Sequence, residues 1–240
     1  MRQGTYVIEE NRPVARATYR LRLTGDTSAM TAPGQFVNLA LDGLFLRRPL
    51  SVADWDEEGM TLLYKVVGDG TKALSEYPAG KTLDLLVGLG NGFTPEGSEH
   101  PLLIGGGIGV PPLYGLAKAF ARQKIRCAVA LGFNTPEEAI LIEEFQALGC
   151  TVAVAYAARG RLVTDLLPGM LPGCDRYYAC GPEPMLRAVH AACPLDGQLS
   201  FETRMACGFG ACMGCSCKTQ FGNKRLCKDG PVLRKEEIVW

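Results

Sequence analysis

Neither sign of charge prevails in this chain of 240 residues, where 25 Lys and Arg stand against 25 Asp and Glu. That balance excludes a strongly basic surface, so no nucleic-acid partner is expected. No run of about eighteen apolar residues occurs, so nothing is expected to span a membrane. The opening Met1-Arg2-Gln3-Gly4-Thr5 leads into no apolar stretch of the kind a secretory signal carries, and a cytoplasmic location is the expectation. Histidine is scarce. His100 and His190 both read as solvated surface residues, no acid–base dyad is visible, and no catalytic side chain is assigned. Internal repeats and low-complexity linkers are missing as well. A hydrophobic share of 47% excludes disorder, and the length suits one or two domains.

Cysteine is absent from the first half and abundant in the second. All ten lie at or after Cys127. Without an export signal they should be reduced, which disfavours a disulfide framework. Cys127, Cys150, Cys174, Cys180 and Cys193 are scattered among small or apolar neighbours and read mostly as core residues. Cys207, Cys212, Cys215, Cys217 and Cys227 crowd into the tail and ask for a metal.

The chain divides into three segments, an α+β multidomain organisation. Residues 1–97 carry short strands at Tyr6-Val7-Ile8, 15–23, 35–39, 45–52, 60–67 and 83–87, with one short helix at 71–77. Turn pairs such as Pro33-Gly34 and Asp42-Gly43 separate them, and the pattern predicts a small antiparallel β-barrel. Residues 98–198 alternate strand and helix four times, with helices predicted over 110–123, 136–148, 162–167 and 184–192. That rhythm predicts a doubly wound parallel α/β domain. Residues 199–240 form a small glycine- and cysteine-rich C-terminal domain with little helical periodicity.

Three motifs carry chemistry. In the tail, Cys207, Cys212 and Cys215 follow a C-x4-C-x2-C spacing, and Cys227 comes eleven residues later. This is the plant-type spacing of a [2Fe–2S] cluster, in which two irons need four thiolates. A four-cysteine zinc site is the alternative, although structural zinc usually uses two C-x2-C pairs. Cys217 competes with Cys227 as fourth ligand, and its tight Cys215-Ser216-Cys217 spacing favours Cys227. The second motif is Gly105-Gly106-Gly107-Ile108-Gly109, between a predicted strand and helix. Small residues there let main-chain N–H groups approach a pyrophosphate. Cys180-Gly181-Pro182 ends the fourth strand of the same segment, at the sheet edge where ligands sit. The third is Arg47-Arg48-Pro49-Leu50-Ser51, in which an arginine and a hydroxyl could hold a phosphate. Tyr64, Lys65 and Val66, followed by Gly70 and Thr71 at a predicted helix start, offer a second phosphate site.

Together these motifs resemble the ferredoxin–NADP reductase superfamily. The stretches Arg47 to Ser51, Leu89-Gly90-Asn91-Gly92-Phe93, Met205-Ala206-Cys207-Gly208 and Cys227-Lys228-Asp229-Gly230-Pro231-Val232 narrow the likeness to the electron-transfer subunits of bacterial dihydroorotate dehydrogenase B. The likeness covers nearly the whole chain. It implies that Arg48, Pro49, Leu50 and Ser51 hold FAD, with Ser51 near the isoalloxazine and Arg48 on the pyrophosphate. It implies that Tyr64, Lys65, Val66, Gly70 and Thr71 hold the rest of that cofactor. Gly106, Gly107, Gly109, Cys180, Gly181 and Pro182 would border the NAD site. Cys207, Cys212, Cys215 and Cys227 would hold the cluster. Leu50 stands where the family often has Ile, and the segment between Cys215 and Cys227 is short for the family.

The resemblance further implies a catalytic partner subunit with FMN, which oxidises dihydroorotate to orotate in pyrimidine biosynthesis, assembled as two of each subunit. A nicotinamide moves electrons in pairs and an iron–sulfur cluster moves them singly, so a flavin must lie between them. Phe209, Ala211 and Met213 of the cysteine loop would face the partner or pack within the loop. NAD is expected over NADP, because the stretch Gly132 to Glu138 has acids and no arginine cluster. Two rivals stay open. One is a flavin subunit of another complex, such as a bifurcating transhydrogenase or a sulfide dehydrogenase. The other is a zinc-stapled binding module, which leaves the glycine turn and Arg48 without a role.

Overall fold

The computed structural model describes residues 1–95 and 97–240. Six strands of the first segment close into a barrel: β1 (Arg2–Ala15), β2 (Thr18–Thr24), β3 (Phe36–Leu39), β4 (Arg48–Trp55), β5 (Gly59–Lys65) and β6 (Thr82–Leu89). Their order around the barrel is β1-β2-β5-β4-β3-β6, and every pairing is antiparallel. Alternation explains the closure. Tyr6 and Ile8 of β1, Leu21 and Leu23 of β2, and Met60, Leu62 and Tyr64 of β5 all point into one apolar interior. Helix α1 (Asp69–Ser75) adds Leu74 to that interior.

The second segment builds β7 (Pro101–Gly106), α2 (Val110–Arg122), β8 (Ala128–Phe133), α3 (Ile142–Ala147), β9 (Thr151–Tyr156), α4 (Leu167–Met170), β10 (Arg176–Cys180), α5 (Glu183–Ala192) and β11 (Asp196–Ser200). Strands β11, β10, β7, β8 and β9 run parallel in that order. Leu102, Leu103 and Ile104 are buried on both faces, as a strand covered by helices requires. Helix α2 joins the two halves. Its Leu113, Leu116 and Phe120 pack with Ala53 and Leu63 of the barrel and with Leu103, Val129 and Tyr178 of the sheet. Gly115 permits this closeness, since a Cβ there would sit 2.8 Å from the Ala53 carbonyl oxygen.

The tail forms a hairpin of β12 (Ser216–Thr219) and β13 (Gly222–Arg225), then returns as β14 (Val232–Arg234), antiparallel on β11. The described chain contains no helix long and apolar enough to cross a membrane.

Besides a first strand far longer than Tyr6-Val7-Ile8 and three strands in the tail, the elements differ from expectation in four places. The helix expected over 136–148 is a 3-10 turn at Pro136–Glu138, an extended Ala139, a left-handed Leu141 (φ 62) and the short α3. The short helix expected over 162–167 is a 3-10 turn at Val163–Leu166 running into α4. Strand β4 starts at Arg48 rather than residue 45, and Phe45 is wholly exposed. Strand β11 was not foreseen, because Asp196-Gly197-Gln198-Leu199-Ser200 has one large apolar residue and no alternation.

Candidate functional site

Arg47 immediately precedes β4 and Arg48 opens it, and the two are used differently, because successive residues of an extended chain face opposite ways. Arg47 is committed to the barrel. It donates to Asp84 Oδ2 at 2.8 Å, to the Asp84 carbonyl at 3.0 Å and to the Asn38 carbonyl at 3.3 Å. The Arg47 guanidinium holds the Asp84 carboxyl below the usual carboxylate range, burial opposing the effect. Arg48 lies against Gly70 of α1 and donates to the Leu46 carbonyl, which leaves most of its guanidinium uncommitted. Thr71 caps the start of α1, its Oγ1 accepting from Val67 N–H at 2.9 Å.

Beyond the arginines lies a cleft of about 310 Å³. Pro49, Ser51 and Lys65 line its barrel side, and Gly106, Gly107, Gly109, Cys180, Gly181 and Pro182 line the opposite wall. The register Cys180↔Gly105 brings the ends of β10 and β7 side by side. Gly109 fits there because a Cβ would sit 2.5 Å from the Cys180 carbonyl oxygen. Burial pushes the Cys180 thiol up to about 12, against a hydrogen bond with Ser200, so at neutral pH it is a thiol rather than a thiolate. Lys65 Nζ reaches Glu138 Oε2 at 3.1 Å across the cleft.

Three expected residues turn elsewhere. Leu50 and Val66 pack against the barrel interior. Tyr64 is buried there, stacks on Tyr19 and donates to Asn11 Oδ1 at 2.9 Å, and burial raises its phenol. Tyr64 can therefore offer the cleft only its main chain. Ser200, Phe201, Thr203, Met205 and Pro231 complete the cleft wall, and none of them had been singled out as site residues.

A second cavity of about 410 Å³ continues from Gly106, Gly107 and Pro182 towards Phe133, Arg161, Val163 and Met185. The only two histidines lie outside both cavities. His100 is exposed, and His190 sits beside Trp240 near the Lys235 carbonyl.

The tail cysteines come in two pairs. Cys215 Sγ lies 3.1 Å from Cys227 Sγ, and Cys207 Sγ accepts from Cys212 N–H at 3.4 Å. Burial alone would raise the Cys207 thiol. The N–H groups of Cys212, Phe209 and Ala211, together with the Cys212 side chain, bring it below the ordinary thiol range. Such donors favour the thiolate that metal ligation needs. Among the described residues no three His, Cys, Asp or Glu side chains converge as a single-ion site. Two pairs of sulfur suit a two-iron cluster, two thiolates to each iron, better than one tetrahedral ion. Cys217 lies on β12 opposite Lys224 and packs against the core cluster that includes Cys215 and Cys227.

Polar braces hold this loop. Arg225 pairs with Asp229 at 3.1 Å and donates to the Gly210 carbonyl at 2.9 Å. Asn91, from the Leu89-Gly90-Asn91 stretch, donates to the Val232 carbonyl at 2.8 Å and accepts from Val232 N–H at 3.1 Å. Asn38 matters more. It is buried on β3 opposite Pro49 and donates to the Cys207 carbonyl at 3.3 Å. Gly208 (φ 77) passes so close that a Cβ would meet Asn38 Nδ2 at 2.3 Å. Asn38 thus ties the strand behind Pro49 to the cysteine loop, and its Oδ1 has no partner among the described residues. A lone polar residue inside Phe36-Val37-Asn38-Leu39 was the sequence signal for it.

Residues 202–239 match the family described as the iron–sulfur cluster binding domain of dihydroorotate dehydrogenase B. The chain is 39% identical over 252 residues to the dihydroorotate dehydrogenase B (NAD(+)) electron transfer subunit of Fusobacterium nucleatum, covering 96% of each chain. It is 39% identical to the same subunit of a Geobacillus species, covering 100% of this chain and 99% of that one. Among solved structures, an NADH-dependent reduced ferredoxin–NADP oxidoreductase studied for flavin-based electron bifurcation superimposes with a TM-score of 0.88. It is 29% identical, and the match covers 98% of this chain and 90% of that one.

Proposed function

The chain belongs to the family of electron-transfer subunits of dihydroorotate dehydrogenase B, and from that premise we propose that it carries electrons between a catalytic partner and NAD⁺ through a [2Fe–2S] cluster and FAD. When bound, the flavin supplies the exchange between hydride transfer at the nicotinamide and single-electron transfer at the cluster. The chain's own residues supply the arrangement. Arg48 neutralises the FAD pyrophosphate beside Gly70 and Thr71. Pro49 and Ser51 present main chain and hydroxyl to the isoalloxazine, while Tyr64, Leu50 and Val66 shape the barrel wall behind it. Gly106, Gly107 and Gly109 give the nicotinamide nucleotide close access to main-chain N–H groups, and Cys180-Gly181-Pro182 closes the opposite side. Cys207, Cys212, Cys215 and Cys227 hold the cluster, with Cys217 outside the ligand set.

The observation that carries this reading is the single cleft. Pro49 and Ser51 of the barrel, Gly106 to Gly109 of the sheet, and Met205 and Pro231 of the tail all line it. Three segments with separate motifs meet where three redox groups would have to meet. The partner would carry FMN, oxidise dihydroorotate to orotate, and assemble with this subunit as two of each in the cytoplasm. Phe209 and Met213 are well exposed on the cysteine loop, which supports their facing that partner.

The test is reconstitution. The subunit alone should oxidise NADH with an artificial acceptor. Dihydroorotate-dependent NAD⁺ reduction should appear only after the catalytic subunit is added, and undiminished activity without it would refute the conduit role. The likeness to the bifurcating oxidoreductase favours a second reading, a flavin subunit serving a different partner. Co-purification with a large flavoprotein in place of an FMN dehydrogenase would select it.

A further inference from the structure

Two thiols that neither the cleft nor the cysteine loop uses meet at the N-terminal edge of the parallel sheet, the edge away from the cleft. Cys127 immediately precedes β8, and Cys150 immediately precedes β9. The strands run parallel in the register Ala128↔Thr151, and Thr151 N–H donates to the Cys127 carbonyl at 3.1 Å. The ladder therefore continues one step further and sets Cys127 beside Cys150. Neighbouring strands lie about 4.8 Å apart, within the Cα separation of about 4.4–6.8 Å that a disulfide spans. Both side chains take the same face of the sheet. Cys127 belongs to the core of Phe120, Val129 and Phe145, and Cys150 packs against that core, whereas Ala128 between them in the ladder faces the other way. The two thiols share a hydrogen bond.

The pair is asymmetric. Cys127 is buried, and Cys150 is half-buried at the end of the left-handed turn through Gly149 (φ 79). The hydrogen bond from Cys127 brings the Cys150 thiol down to about 7, against burial, and raises that of Cys127. Arg126 adds positive charge on the same side, since a Cβ on Gly149 would lie 3.9 Å from its Nε. A cavity of about 330 Å³, lined by Arg126, Cys127, Thr151 and Cys174, brings solvent to this edge. Cys174 is the less reactive neighbour: its Sγ donates to the Met170 carbonyl at 3.1 Å, and burial raises its thiol. An accessible thiol that ionises readily, next to a buried one, has the arrangement of an attacking and a resolving cysteine.

We infer that Cys127 and Cys150 form a redox-active dithiol, a modification site that a low-molecular-mass disulfide oxidises to an intrachain disulfide. The Cys150 thiolate attacks one sulfur of the small disulfide, whose S–S bond breaks and releases one thiolate. The Cys127 thiol gives its proton to that leaving thiolate. Its sulfur then attacks Cys150 in the mixed disulfide and releases the second small thiol. Two protein thiols lose two electrons and two protons, and the small disulfide gains them as two thiols. The site lies at the opposite sheet edge from the cleft, so its oxidation leaves the cleft as it is.

The test is incubation of the full-length holoprotein with oxidised glutathione in the absence of oxygen, followed by alkylation and peptide mapping. The wild type should yield a peptide cross-linked between Cys127 and Cys150, which dithiothreitol reverses, with iron, flavin and NADH oxidation by an artificial acceptor unchanged. Cys127→Ser should stop at a glutathione adduct on Cys150, and Cys150→Ser should leave Cys127 unmodified. Alkylation of Cys150 should be half-maximal near pH 7 in the wild type and move towards the ordinary thiol value of about 8.5 in Cys127→Ser. A wild type that carries the adduct on Cys150 without the cross-link, or that is modified at neither position, would overturn the dithiol. A cross-link made through Cys174 would overturn the assignment of Cys127. Loss of iron or flavin on oxidation would overturn the independence of the site from the cleft and the cysteine loop. The wild-type map decides the proposal even where a variant of the buried Cys127 fails to fold.

Discussion

The parallel sheet and the cysteine loop lie a few residues apart in the chain and are held by opposite means. The sheet buries Leu102, Leu103, Ile104, Val129 and Leu131 completely beneath the helices that cover its faces. In the loop from Glu202 to Gly214 most residues are exposed, and its order comes from Arg225, Asn38 and sulfur-directed N–H groups. Few buried methylenes mean little intrinsic stability there. The barrel–sheet body is held by its buried core, while the loop is held by polar braces, to which the proposed ligation of its thiolates would add.

The sharpest way to break that contrast is Cys215→Ser. It should abolish iron binding and transfer to the partner, while flavin content and NADH oxidation with an artificial acceptor survive. Loss of flavin together with iron would show that loop and body are one cooperative unit. Next in size, Phe120→Ala removes a ring from the seam between barrel and sheet. It should cost about 3–5 kcal/mol, or roughly 10 °C of melting temperature, in scans that report the whole body. A shift confined to the loop would contradict the assignment of stability to that core.

The same contrast operates between the two arginines at the start of β4. Arg48→Ala should weaken FAD retention about ten- to a hundredfold, read by ultrafiltration, with little change in apoprotein stability. Arg47→Ala should do the reverse, destabilising the barrel modestly through loss of its bonds to the Asp84 carboxylate and to the Asp84 and Asn38 carbonyls, while Gln3 still donates to Asp84. If the two variants gave the same phenotype, the division of labour would fail.

The smallest effect is pH-dependent. The Arg47–Asp84 pair depresses the folded-state pKa of Asp84. Its stabilisation is therefore complete above the ordinary aspartate value of about 3.9 and is lost as pH falls through the depressed value. Because Asp84 is 44% exposed, the pair is worth at most about 1 kcal/mol. The stability difference between wild type and Asp84→Asn should hold at neutral pH and vanish in acid.

Legibility in the sequence followed the range of the interactions. The barrel was readable because Tyr6, Ile8, Leu21 and Leu23 alternate locally. The cluster motif was readable because three of its cysteines lie within nine positions, Cys207 to Cys215. Strand β11 was not, since Gln198 is buried by exchanging hydrogen bonds with Thr94, which lies far away in the chain. The 136–148 stretch looked like one helix because periodicity does not register the left-handed Leu141 that breaks it. Asn38 escaped for the same reason as β11. What it touches is decided by strands closing on one another, and no spacing within its own segment records it.

The most direct test is a combined iron, acid-labile sulfide and flavin analysis of protein prepared without oxygen, followed by titration with NADH under visible absorbance. The account predicts equal iron and sulfide, each twice the flavin, and bleaching of both flavin and cluster bands by NADH alone. Colourless protein containing zinc, or flavin that NADH cannot bleach, would contradict it.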